Sequence, residues 1–70
     1  MEVSGEKIRV LREALGLTTQ ELAARVRPRP VTRQAVDAWE RGGVRTFRML
    51  KRVAEALGVR PESLLKKAGE

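Results

Sequence analysis

Apolar residues recur along the chain at helical spacing in short blocks, and a capping or helix-breaking residue separates each block from the next. Ile8, Leu11, Ala14 and Leu15 fall on one stripe of a first helix over about residues 5–15. Ser4 is its N-cap, Glu6 lies near its positive end, and Gly16 closes it as a left-handed cap residue. Thr18 with Glu21 forms a Thr-x-x-Glu capping box that opens a second helix over about 19–26, with Leu22, Ala23 and Val26 facing inward. Arg27-Pro28-Arg29-Pro30 cannot continue a helix and reads as an extended connector. Thr32 caps a third helix over about 33–41. Ala35, Val36 and Trp39 are its apolar positions, and Arg33, Gln34, Asp37, Ala38 and Arg41 lie on or beside its open face. Gly42-Gly43 stops it. Thr46 caps a fourth helix over about 47–57, expected to be buried through Phe47, Leu50, Val53, Ala54 and Leu57 and closed by Gly58. Pro61 suits the first turn of a fifth, short helix ending near Lys67, with apolar contacts from Val59, Leu64 and Leu65. No strand pattern, repeat or low-complexity segment interrupts this series. The expected fold is all-α, a compact bundle of five short helices.

Composition narrows the class. Seventy residues make one small domain, residues 1–70, whose core rarely supplies more than about 3–5 kcal/mol. The 41% hydrophobic and 34% charged fractions describe a soluble globular chain. No apolar run approaches the roughly 18 residues of a membrane span, and no signal peptide opens the chain. The absence of cysteine removes disulfides and thiolate metal sites and fits a cytoplasmic address. With no histidine, no tyrosine and one aspartate, the usual general bases and metal ligands are missing. Neither an enzyme, nor a metal site, nor a cofactor is expected.

Charge points to a partner. The net charge of +6 is unevenly placed, because residues 1–26 and 53–70 each balance. Residues 27–52 carry eight cations (Arg27, Arg29, Arg33, Arg41, Arg45, Arg48, Lys51 and Arg52) against Asp37 and Glu40. Scattered charges usually make a solvated face. A block of one sign repels itself, and a polyanionic partner offsets that cost. Arginine in preference to lysine suits phosphate forks and guanine edges, so nucleic acid leads.

From Leu15-Gly16-Leu17-Thr18 through Glu40-Arg41-Gly42 the helix pattern becomes a family pattern. IRVLREALGLTTQELAARV, then TRQAVDAWERG, then LKRVAEALGVRPESLL resembles the Cro-type (lambda-repressor-like, XRE family) helix-turn-helix DNA-binding domains over about residues 6–65. The resemblance implies a helix-turn-helix over about 19–41 with its third helix, about 33–41, in the major groove. It also implies structural roles: Ala23 as the small residue that lets two helices approach, Val36 as the aliphatic lock, and Arg12 paired with Glu40. Trp39 matches a bulky apolar position; base stacking is conceivable there, but core packing is favoured. Two departures stand out. The family's usual glutamine at the start of the second helix falls at Thr19, with Gln20 beside it. The connector is about three residues longer than usual, which reads equally as a tolerated insertion or as a stiff basic finger.

The family positions assign base contacts to Arg33, whose fork suits guanine, and to Gln34, which suits adenine. Ordinary exposed helix surface is the plainer alternative for both. Asp37 either accepts from cytosine or, the favoured reading, orients Arg33 at i,i+4 spacing. Ala38 either touches a thymine methyl or simply leaves room. Phosphate contacts are expected from Thr19, Gln20, Arg27, Arg29, Thr32, Arg41, Gly43 (through its amide), Arg45 and Arg48. Lys51 and Arg52 are expected to face solvent. The resemblance implies a homodimer on half-sites about 34 Å apart in a near-palindromic operator, with Leu64 and Leu65 as dimer surface or as core. A repressor or autoregulator of transcription follows. The helix-turn-helix accounts for nearly all of these residues, which leaves none for a ligand-binding domain, and no small-molecule ligand is expected. The rivals are a protein-interaction module such as an antitoxin or anti-repressor, a sequence-independent nucleic-acid binder, and a membrane-surface peptide built on residues 47–57. The basic block argues against the first and the apolar stripe against the last, while a mixed role with a protein partner stays open.

Overall fold

The computed structural model describes residues 2–66. Four α-helices follow one another as α1 (Gly5–Ala14), α2 (Thr19–Arg25), α3 (Arg33–Glu40) and α4 (Phe47–Leu57), ahead of a single turn of 3₁₀ helix over Pro61–Leu64. The caps explain these boundaries. Side-chain oxygens of Ser4, Thr18, Thr32 and Thr46 each accept from the amide three residues on, which satisfies a donor that the first helical turn leaves open. At α2 the Glu21 carboxylate also returns to the Thr18 amide at 2.8 Å and completes the box.

The core is a single cluster drawn from every element. Ile8, Leu22, Leu50, Leu64, Val26, Val36 and Val53 are fully enclosed, and Trp39 joins them. Leu64 is therefore core rather than dimer surface, and Leu65 packs half-buried against the cluster. The fifth element is a 3₁₀ turn rather than an α-helix, and its expected end near Lys67 lies outside the described residues. The chain also closes on itself in a way its pattern does not announce. Val3 and Leu65 form an antiparallel bridge, flanked by Ser4 N–H to Leu64 O at 2.7 Å and Lys66 N–H to Glu2 O at 3.0 Å.

Three apolar positions depart from the expected core. Phe47 is 59% exposed and Leu15 is 49% exposed; Ala14 is exposed as well. Helical side chains lean toward the N-terminus, so a residue in the first position of α4 projects past the end of the packed stripe. At the other end of α1 the inward place belongs to Arg12, and Leu17, beyond the turn, packs against the core. Among the described residues no helix is long and apolar enough to cross a membrane.

The end of α3 is set by Gly42, whose φ of +89° lies in the left-handed region with nothing within 4 Å of a Cβ. Gly42→Ala is expected to cost about 1 kcal/mol, from backbone strain alone. Urea denaturation should show a lower midpoint with an unchanged slope.

Candidate nucleic-acid interface

The first turns of α2 and α3 bring four of the sequence candidates together. Gln20, Thr32, Arg33 and Gln34 line one open groove of about 430 Å³, with Ala23, Ala24, Pro30 and Val31 forming the rest of its wall. Arg33 and Gln34 are exposed, and their side chains make no hydrogen bond or ion pair among the described residues. Thr19 is half-buried beside them, and Ala38 is exposed further along α3.

The connector does not loosen this arrangement. Val26 is buried at one end, and at the other the Val31 amide donates to Ala23 O at 3.0 Å. The added residues bulge outward between these ties, so Arg27 and Arg29 stand exposed while α2 and α3 remain packed. Arg27 and Pro28 face α4 across a second groove of about 550 Å³, where they meet Phe47, Arg48, Lys51, Arg52 and Glu55. Both Lys51 and Arg52 line this groove; Lys51 is exposed, as expected, while Arg52 is half-buried.

Behind this surface, Arg12 and Glu40 hold α1 to α3. Arg12 Nε donates to Glu40 Oε2 at 2.6 Å, Nη2 donates to Oε1 at 3.3 Å, and Nη1 donates to Leu17 O at 2.7 Å. Both side chains are 12% exposed. The hydrogen bond to Glu40 holds the Arg12 guanidinium above its ordinary pKa, against the opposing effect of burial, and the charges of Glu40, Glu13 and Asp37 add to it.

Two expectations change. Asp37 makes no ion pair with Arg33; it is half-buried, and its charge contributes to the field at Arg12 instead. The Gly43 amide, expected at a phosphate, donates to Ala38 O at 2.8 Å and helps close the end of α3. Arg41 lies at that same end, beside Gly5, Glu6 and Glu40, away from the groove of Arg33 and Gln34.

The electrostatic outcome is one-sided. The two acids of the basic block, Glu40 and Asp37, both lie toward Arg12, a cation from outside the block. Among the described residues none of the eight cations of 27–52 takes part in an ion pair. Their field is left for a partner to neutralise.

A helix-turn-helix family model matches residues 8–64. The chain belongs to that family. It is a lambda-repressor-like helix-turn-helix domain. Among solved structures, this helix-turn-helix chain is similar to the P22 c2 repressor protein in complex with synthetic operator 9T, at 30% identity and a TM-score of 0.77, over 94% of this chain and 97% of that one. It is also similar to hydroxypropylphosphonic acid epoxidase from S. wedmorenis, at 30% identity and a TM-score of 0.80, over 99% of this chain. It spans 37% of the epoxidase chain, so there the same fold is one part of a longer protein. No curated protein matches it.

Proposed function

We propose that the protein is a sequence-specific regulator of transcription, a repressor or autoregulator, that binds a near-palindromic operator as a homodimer with α3 in the major groove. The observation that carries this reading is the exposed first turn of α3, with Arg33 and Gln34 uncommitted inside a field of unpaired cations. In this reading Arg33 reads guanine and Gln34 reads adenine, while Ala38 lies against a thymine methyl and Asp37 borders them. Thr19, Gln20 and Thr32 reach one stretch of backbone, and Arg27, Arg29, Arg45 and Arg48 reach phosphates that position the domain without reading sequence. Arg41, exposed at the far end of α3, reaches a phosphate away from the first turn, while the Gly43 amide leaves that set because it is bonded to Ala38 O. The reading calls for no cofactor or small-molecule ligand and places the protein in the cytoplasm with its DNA.

Selection from randomised duplex DNA at about 150 mM salt tests this. The expected result is an enriched inverted repeat whose edges blur in Arg33→Ala/Gln34→Ala. On the best sequence, Arg33→Ala alone should cost about 2 kcal/mol, the worth of one bidentate guanine contact. Binding that falls steeply with salt yet enriches no motif would overturn sequence reading and leave a nonspecific binder. Absence of binding would overturn the DNA reading altogether.

A further inference from the structure

The groove between the connector and α4 holds an aromatic ring where the fold has no use for one. Phe47 is 59% exposed, and Arg27, Arg48, Lys51 and Arg52 surround it, with Glu55 the one acid in the lining. Phe47, Lys51 and Glu55 follow at i, i+4 and i+8 along α4, so the groove runs for about 12 Å, two helical turns. Pro28 forms part of the opposite wall and limits how far that wall can move.

We propose that this groove docks an acidic, amphipathic peptide segment of a partner protein, with an apolar side chain of the segment covering Phe47 and its carboxylates meeting the four cations. Charge selects this occupant. A second copy of the chain would set the same four cations against themselves across a two-fold axis. Duplex DNA would satisfy the cations, but the apolar surface it offers is the thymine methyls of the major groove, where the reading above places α3 rather than α4. An acidic segment with an apolar anchor satisfies both features at once, with an aromatic at the centre and charges around it. Arg27 and Arg48 are also assigned to phosphates above, so the segment and the operator compete for the same cations. Docking therefore releases DNA.

The test uses a fluorescein-labelled helical peptide of about twelve residues, with Glu and Asp on one face and Leu and Phe on the other. Anisotropy should show saturable binding to the full chain that weakens with salt. Phe47→Ala should weaken it about tenfold, as truncating a central aromatic anchor does, and replacing the peptide's Leu and Phe by Ser should do the same. Lys51→Ala/Arg52→Ala should weaken it further while flattening the salt dependence. Selection of duplex DNA by Phe47→Ala should match the parent, and Arg33→Ala/Gln34→Ala should bind the peptide as the parent does. This last comparison separates failure of the docking proposal from failure of the DNA reading. Equal binding of the Ser-substituted peptide would reduce the groove to an unspecific anion site and overturn the proposal. So would loss of duplex affinity in Phe47→Ala, or a concentration-dependent dimer that Phe47→Ala abolishes, because each assigns the ring to a different occupant.

Discussion

Gly5→Ala is expected to destabilise the protein by about 3 kcal/mol or more, enough to unfold much of the population of a domain this small. Gly5 is the buried first residue of α1 and lies against the end of α3. A Cβ there would overlap the Glu40 carbonyl and stand 2.7 Å from the Gly42 amide nitrogen. Both are backbone atoms fixed by the helix end, so no side-chain rotation relieves the overlap, and α1 must move off α3. Gly42→Ala is the matched control, because its Cβ meets open space and its cost is backbone strain alone. Urea denaturation of the two variants should therefore separate by about 2 kcal/mol. Equal losses would show that the approach of α1 to α3 yields easily.

Arg12→Ala is expected to cost about 3 kcal/mol. Removing one member of a mostly buried pair leaves the other charge without its partner, and that uncompensated charge outweighs the lost attraction. Here the Leu17 carbonyl loses its donor as well. The double variant Arg12→Met/Glu40→Leu should recover most of the loss, since two apolar side chains leave no charge behind. If the double variant is as unstable as the single one, the hydrogen bonds themselves hold the fold. The sign of the pH dependence follows from the raised pKa of Arg12: its contribution is present below the unfolded value and is lost only as pH rises through the folded one. Between about pH 5 and 9, therefore, Arg12 should add no slope to stability.

What the sequence made legible was local. The four hydroxyl caps, the capping box and the glycine stops each depend on residues within one helical turn, and each lies where its spacing puts it. Periodicity also found the buried stripe of α4 through Leu50, Val53, Ala54 and Leu57. It does not say how far a neighbouring element extends, which is why Phe47 and Leu15 continue the apolar stripes in sequence and yet stand outside the core. Asp37 fails in a related way, because its position one turn from Arg33 is visible in the chain whereas the nearness of Arg12 depends on how α1 crosses α3. Gly5 gave no signal at all. Nothing in a helix's own first turn reveals that another backbone will lie against it.

Both fastenings of α1, the Gly5 contact and the Arg12–Glu40 pair, grip the same end of α3. At the opposite end the exposed Arg33 and Gln34 side chains make no hydrogen bond or ion pair among the described residues. In the proposed function those two positions are interchangeable type in a fixed press. Other side chains set there would change the message printed without disturbing the frame, so new binding preferences can be grafted onto this scaffold, or arise in it by single substitutions, at little cost in folding.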